Sequence, residues 1–268
     1  MLGAIAGDVI GSPYERNNIK TVDFPLLSEK SCPTADSFLT IAITLAIMDT
    51  MSAPNVIPSE EEFEASVISS LRRIGRRYPK AGYGKGFKGW LWAQEPHPYN
   101  SMGNGAATRV SPVAWAFDEL GTVEHFAEIT ARVTHDHPEG IKGAQAVAGA
   151  VFLARTGHTK DDIREYITTK YGYDLSRTID EIRPNYHFSS SCPKSIPEAI
   201  TAFLEGENFE DAVRKAVSLG GNSDTIAAIA GAISEAMYGM SILLEVEIFG
   251  KLKGKIRFYI ERWEQWRN

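Results

Sequence analysis

Several things are scarce in this sequence, and each scarcity excludes a class of protein. Only two cysteines, Cys32 and Cys192, occur in 268 residues. That excludes a disulfide scaffold and a zinc site built from cysteines. A cytosolic thiol stays reduced, so Cys32 is expected to be a buried thiol. Long hydrophobic runs are missing as well. The most apolar stretch, Phe38 to Met48, is 11 residues long and includes Thr40 and Thr44, whereas a membrane span needs about 20 residues. Basic charge is not in excess: 28 Lys and Arg against 34 Asp and Glu give a net charge of −6. A protein that coats nucleic acid needs a basic surface, so stable nucleic-acid binding is not expected. No basic segment precedes the first apolar residues, and Asp8 interrupts them. A signal peptide is therefore not expected, and the expected location is the cytoplasm. Neither low-complexity tracts nor a Ser-, Gly- or Pro-rich linker divides the chain, which reads as one domain over 1–268.

What is present is an ordinary globular composition, 43% hydrophobic and 23% charged. A chain of this length can bury a core without covalent staples. The apolar periodicity is helical. Residues 36–51 are apolar on nearly every face and predict a buried helix. Residues 60–77 are amphipathic, with acids early and arginines late, as the helix dipole prefers. Further helices are expected over 122–133, 140–155, 159–171, 196–205, 208–219, 224–239 and 253–267. The 140–155 and 224–239 helices are rich in Ala and Gly, which suits close helix packing. No stretch shows sustained period-two alternation between hairpin turns. The expected fold class is all-α. Residues 11–35, 78–112 and 184–195 read as long loops, and such loops inside a domain usually carry function.

Two segments are alike. Thr34-Ala35-Asp36-Ser37 and Asn222-Ser223-Asp224-Thr225 each place Asp followed by a hydroxyl residue at the start of a buried helix. Alone, either one reads as a helix cap. Together they allow another reading. Converging helix starts would gather Asp36 and Asp224 with Thr34, Ser37 and Thr225 into a set of hard oxygen donors suited to Mg²⁺, Mn²⁺ or Ca²⁺. Other signals are weaker. Gly84-Lys85-Gly86-Phe87-Lys88-Gly89 matches G-x-G-x-x-G, but no strand precedes it and no clear helix follows, so a dinucleotide fingerprint is rejected. His135 and His137 sit two residues apart in a loop, a poor spacing for a metal pair. Gly103-Asn104-Gly105 is a turn by composition, and it could equally offer backbone N–H groups to a phosphate. The five tryptophans read as core.

Taken in order, these motifs resemble the ADP-ribosylglycohydrolase family. The resemblance spans nearly the whole chain: GAIAGDVIGSPYE at the start, NNIKTVDFPL after it, and the Thr34 segment. It continues through GNGAATRVSP (103–112), THDHPEGIKGA (134–144), SCPKSIPEAI (191–200) and SLGGNSDTIAAIAGAI (218–233). It implies a compact all-α fold with two Mg²⁺ or Mn²⁺ ions, and hydrolysis of the glycosidic bond at C1″ of ADP-ribose, with ADP-ribose or an ADP-ribosylated compound as partner. Thr34, Asp36, Asn222, Asp224 and Thr225 match metal-ligand positions, with Asp36 also read as catalytic. Glu15 matches a flexible acidic-loop position that caps the ribose or a metal and assists proton transfer. Ser101, Gly103, Asn104, Gly105 and His135 match substrate contacts. Met102 stands where a tryptophan often sits, and Thr108 where a methionine often sits.

The match is incomplete where it matters. The family's first metal motif resembles Thr-Asp-Asp-Thr/Ser, and here Ala35 replaces its first carboxylate. The second resembles Asp-x-Asp-Thr, and here Asn222 replaces its first carboxylate. Asp36, Asp224 and Glu15 would bring three negative charges against four positive charges on two ions. The expectation is therefore one retained ion, two weakly held, or none. Two functions compete: an impaired or altered metal-dependent ADP-ribosyl hydrolase, and a pseudoenzyme that binds ADP-ribose or a related nucleotide without cleaving it.

Overall fold

Helix follows helix in the computed structural model, which describes residues 1–267. In chain order they are α1 (Leu2–Gly11), α2 (Ala35–Thr50), α3 (Glu60–Arg77), α4 (Lys85–Trp92), α5 (Gly105–Thr108), α6 (Val113–Ala116) and α7 (Leu120–Arg132). Then come α8 (Pro138–Arg155), α9 (Lys160–Tyr171), α10 (Ile179–Ile182), α11 (Cys192–Glu205), α12 (Phe209–Ser218), α13 (Ser223–Tyr238), α14 (Ile242–Lys251) and α15 (Lys255–Arg267). Among the described residues the only β pairing is an isolated bridge between Gly103 and Ser191. None of the described helices is long and apolar enough to cross a membrane.

The expected helices form within a few residues of their predicted ends. Local chemistry explains the boundaries. Ser59 caps α3 by accepting from Glu62 N, and three glutamates fill its first turn while Arg76 and Arg77 close its last. Thr159 and Asp162 form a capping box on α9, which ends at Gly172 in the left-handed conformation. Helices α1, α4, α5, α6, α10 and α14 lie outside the expected set. The reading of 78–112 as loop is therefore corrected at 105–108, which forms the short α5, and at 85–92, where α4 packs Phe87, Trp90 and Leu91 inward. The glycines of its G-x-G-x-x-G run mark the N-cap and an exposed helix face. A helix does run through that motif, although no strand precedes it. Cys32 is exposed, against expectation, because it lies in the loop ahead of α2. Trp263 and Trp90 are core, while Trp92 is exposed under the guanidinium of Arg76.

One apolar cluster runs through the whole bundle, and α13 is at its centre. It packs against α1, α8, α11 and α12. The contact with α1 is backbone to backbone. A Cβ on Gly7 would lie 2.0 Å from the carbonyl oxygen of Ala227, and one on Gly11 would lie 2.5 Å from Asp224 Cα. On the opposite side, a Cβ on Gly231 would lie 2.4 Å from Gly3 O. These contacts explain why an N-terminal segment rich in glycine, a poor intrinsic helix former, is nevertheless a fully buried helix. The first turns of α1's neighbours are thereby brought to one end of the bundle.

A methyl group at position 7 has no room, and neither backbone can give way alone. Gly7→Ala is expected to destabilise the protein by at least about 2 kcal/mol, the cost of overpacking a tight core. Chemical denaturation of the two proteins checks this. An unchanged midpoint would mean the α1–α13 seam is looser than described.

Candidate active site

The three long loops do converge, on a cavity of about 440 Å³ at the end of the bundle where α2 and α13 begin. Its lining takes Glu15 and Thr34–Asp36 from the first loop region, Tyr83, Tyr99, Ser101, Gly103, Asn104 and Gly105 from the second, and Phe188 and Ser190 from the third. Asn222, Asp224, Thr225, Arg109 and His135 complete it. Glu15, Thr34, Asp36, Ser101, Gly103, Asn104, Gly105, His135, Asn222, Asp224 and Thr225 therefore line one space, whereas Ser37, Met102, Thr108 and His137 do not.

Its floor is acidic. Carboxylate oxygens of Asp8, Asp36 and Asp224 lie within 4.8 Å of one another. Asp36 sits in the first turn of α2 and Asp224 in the first turn of α13. Neither carboxylate caps its own helix by bonding to the preceding turn. Asp36 instead reaches across: its Oδ2 accepts from Thr225 Oγ1 at 2.6 Å, and its Oδ1 accepts from Thr108 Oγ1 at 2.9 Å. Asp224 Oδ1 accepts from the Thr225 amide at 2.9 Å. Thr34 is the N-cap of α2, its hydroxyl facing Asp36 N at 3.4 Å and lying 3.4 Å from Asp224 Oδ2. Asn222 is the N-cap residue of α13, and its side chain makes no capping bond. It follows Gly220 and Gly221, both at positive φ, which turn the chain into the helix.

Asp8 is the residue that sequence reasoning missed. It is completely buried, behind the cavity wall. Its Oδ2 accepts from the Thr34 amide at 2.8 Å, the Ser37 amide at 3.1 Å and the Ser37 hydroxyl. Its Oδ1 accepts from Thr34 Oγ1 at 2.6 Å. One carboxylate thus ties down the whole first turn of α2. The available signal was the residue itself: a lone aspartate within an otherwise apolar and glycine-rich first helix.

The electrostatics follow from burial and crowding. Burial, reinforced by the charge of Asp36, raises Asp8 to about 7. Burial also raises Asp36, opposed by its two threonine hydroxyls. Asp224 is raised well above the carboxylate range by burial and then by Asp36, Asp8 and Glu15. Among the described residues no cation pairs with any of the three. The nearest fixed positive charge is Arg109, whose field reaches Asp36. Arg109 itself is fully buried, and burial lowers it to about 10.

The remaining predicted site residues divide by role. Glu15 follows a short 3₁₀ turn, Ser12–Tyr14, and is half-buried at the rim. Its carboxylate makes no hydrogen bond or ion pair among the described residues. Ser101 Oγ accepts from Gly103 N at 3.1 Å, folding the loop on itself. Asn104 is buried. Its Nδ2 donates to Ser195 Oγ at 3.0 Å and its amide to Ser190 O at 2.8 Å, so this side chain anchors the loop to α11. Gly103 and Gly105 leave open backbone facing His135. His137 is no ligand: its Nδ1 accepts from Glu139 N at 3.1 Å and caps α8.

An uncharacterized protein from Archaeoglobus fulgidus is 27% identical over 263 residues, covering 88% of this chain and 85% of its own. The human ADP-ribosylhydrolase ARH3 is 29% identical, covering 90% of this chain and 84% of its own. A solved structure described as an ADP-ribosylglycohydrolase-related protein complex shares the fold, with a TM-score of 0.64 at 20% identity over 99% of this chain and 92% of its own. The sequence pattern of the ADP-ribosylglycohydrolase family matches residues 1–260, and this chain belongs to that family.

Proposed function

We propose that this protein hydrolyses the glycosidic bond between ADP-ribose and an acceptor, using a divalent cation, Mg²⁺ or Mn²⁺, held at Asp36 and Asp224. The observation that carries the reading is the gathering of the Asp36 and Asp224 carboxylates, from α2 and α13, at the floor of a cavity large enough for a nucleotide-sized ligand, with the Asp8 carboxylate of α1 directly behind them. The residues present fit such an ion. They are hard oxygen donors, they repel one another, and no protein cation touches them. Thr34 and Thr225 hydroxyls and the Asn222 amide oxygen would add neutral donors. Three carboxylates with Arg109 close by suit one divalent ion better than two. Ala35 and Asn222 remove the two carboxylates a second ion would need. The names of ARH3 and of an ADP-ribosylarginine hydrolase from Pseudomonas putida, Tri1, which is 26% identical over 58% of this chain and 44% of its own, support the substrate class.

When bound, the cation supplies positive charge to orient ribose hydroxyls and polarise water. The protein's own groups do the rest. Glu15, with no partner to hold it, takes a proton from the attacking water. The water oxygen bonds to C1″ as the bond from C1″ to the acceptor nitrogen or oxygen breaks. The departing atom then receives the proton. The carboxylates of Asp36 and Asp224 favour the positive charge that develops on the ribose ring. Asp36, held at both oxygens, stays in place while this happens. A second reading, a pseudoenzyme that binds ADP-ribose without turnover, is favoured by Ala35, whose position on the cavity wall offers no oxygen.

Three measurements test this. Incubation with ADP-ribosylated arginine or serine peptides and Mn²⁺ or Mg²⁺ is expected to release ADP-ribose, and chelation to stop it. Glu15→Gln is expected to lower kcat by about 100-fold or more, the range for loss of a general base, with ADP-ribose binding retained. Binding with no turnover above buffer selects the pseudoenzyme reading. Neither binding nor turnover removes both readings.

Restoring Ala35→Asp and Asn222→Asp together is expected to tighten cation binding at least about tenfold, by the gain of charged ligands. Calorimetric titration of chelator-stripped protein reads it. An unchanged affinity would mean the ion is not held at these helix starts.

The raised carboxylates also set a pH dependence. In the cation-free protein the folded state binds protons that the unfolded state, with carboxylates near 4, has lost. Stability therefore falls as pH rises from about 4 through the value of about 7 reached by Asp8. The melting temperature of stripped protein should be lower at about pH 8 than at about pH 5.5, and Mg²⁺ or Mn²⁺ should recover most of the loss at the higher pH. Thermal scans at both values check the sign. A stripped protein that is more stable at the higher pH would contradict the buried cluster.

A further inference from the structure

Arg109 closes α5 and is completely buried, yet no carboxylate pairs with it among the described residues. Its hydrogen bonds all come from Nη2, which donates to Thr130 O and to Thr134 Oγ1, each at 2.8 Å. Its Nε and Nη1 have no partner among the described residues. Thr134 Oγ1 lies 2.7 Å from His135 Nδ1. The three side chains form a hydrogen-bonded chain along the wall of the cavity, which Arg109 and His135 both line.

The direction of that chain can be worked out. A guanidinium has no acceptor, so the Arg109–Thr134 bond uses a lone pair of the hydroxyl. The single hydroxyl hydrogen then has two possible destinations. One is Ala131 O, at 3.4 Å. That carbonyl already accepts the amides of Thr134 at 3.0 Å and His135 at 2.8 Å, which occupy its two lone pairs. The other is His135 Nδ1, at 2.7 Å and without another donor. The hydrogen goes to Nδ1, and the imidazole proton is left on Nε2. That nitrogen faces Gly103 and Gly105: a Cβ on either would lie 3.5 or 3.6 Å from it. His135 Nε2 makes no hydrogen bond of its own among the described residues.

We propose that Arg109 and Thr134 are positioning residues that hold His135 as the neutral tautomer protonated on Nε2, aimed as a hydrogen-bond donor at an acceptor oxygen of the ribose-diphosphate seated over Gly103 and Gly105. The donor role rests on the ADP-ribose reading above, whereas the tautomer is a property of the protein alone. The environment agrees. Burial and then the charge of Arg109 push His135 down to about 3, so imidazolium is disfavoured. The ring of Tyr99 lies 5.8 Å away and carries no charge to oppose this. A histidine fixed in this way can donate but cannot act as a base at Nε2, which leaves proton abstraction to Glu15. It also favours a substrate with an oxygen acceptor at that point over one with a donor.

The test is nitrogen-15 NMR of the histidine rings in ligand-free protein, with His135 identified by the signal that disappears in His135→Gln. The expected pattern is a protonated Nε2 and an unprotonated Nδ1. A protonated Nδ1, or an imidazolium, overturns the proposal whether or not the protein binds ADP-ribose. Thr134→Val removes the relay hydroxyl and is expected to give a mixture of tautomers. Thr134→Ser keeps the hydroxyl and is expected to restore the single tautomer, which a merely structural role would not require. An unchanged tautomer in Thr134→Val overturns the relay. ADP-ribose affinity, measured by calorimetry, is expected to fall about tenfold in Thr134→Val, the worth of one hydrogen bond, and to recover in Thr134→Ser. Loss of the tautomer with unchanged affinity overturns the donor role and leaves the ADP-ribose reading standing. Wild-type protein with the expected tautomer but no ADP-ribose binding sinks the ADP-ribose reading and the donor role with it, while the relay from Arg109 to His135 stands.

Discussion

The close approach of α1 to α13 is the constraint from which the site follows. Two helix backbones come together only where no Cβ intervenes, and Gly3, Gly7 and Gly11 remove it once per turn along one face of α1. That contact carries Asp8 to the end of the bundle where α13 begins with Asp224. Asp8 then draws in the first turn of α2 through Thr34 and Ser37. Asp36 lies between these two anchored residues, and its carboxylate faces Asp224 and accepts from Thr225. A packing feature in the core thus produces a chemical feature at the surface, without any of the three carboxylates being placed by a flexible loop.

Burying three like charges is unfavourable, and the protein meets that cost with neutral donors before any cation binds. Asp8 takes two amides and two hydroxyls, and Asp36 takes two hydroxyls. Bonds of this kind stabilise the ionised form of a carboxylate but leave net charge behind. Thr108 is notable here, because the family resemblance puts a methionine at that position. In this chain a hydroxyl bonded to Asp36 stands where a thioether would otherwise pack. Together with Ala35 and Asn222, it describes a site with fewer charges and more neutral donors than the family pattern implies.

Much of this was legible in the sequence, for a physical reason. The buried helices at 36–51 and 224–239 carry their periodicity and their Asp-hydroxyl starts in contiguous residues, so both elements and the pairing of Asp36 with Asp224 could be read directly. The loops followed from the absence of pattern. What could not be read depended on tertiary contact. Glycine in α1 counts against a helix by propensity, and only the presence of Ala227 and Asp224 opposite explains its use. Asp8 looks like an interruption of an apolar run until its four donors are known. Arg109 lies in a stretch that reads as loop, and only the tertiary structure reveals that it is buried. The same holds for α4, where glycines that suggest a loop lie on an exposed face while Phe87, Trp90 and Leu91 hold the helix down. Cys32 failed in the opposite direction: redox reasoning says the thiol is free, but says nothing about burial.

The rim of the cavity is bound to its floor. Glu15 lies in a loop whose next turn is fastened to the approach to α13. Asn18 Oδ1 accepts from the Gly221 amide at 2.8 Å, and its Nδ2 donates to Gly221 O at 3.1 Å. Lys20 Nζ donates to the carbonyls of Arg183, Tyr186 and Leu219 at 2.8, 2.7 and 2.5 Å. The Gly221 amide and carbonyl and the Leu219 carbonyl belong to the left-handed turn at Gly220 and Gly221 or adjoin it, while the carbonyls of Arg183 and Tyr186 tie the same loop to the segment ahead of α11. The carboxylate of Glu15 is free, while the backbone that carries it is tied to the same turn that sets Asn222 and Asp224. The proton-transfer role proposed for Glu15 requires this combination, a side chain able to move by a rotamer on a main chain held in place.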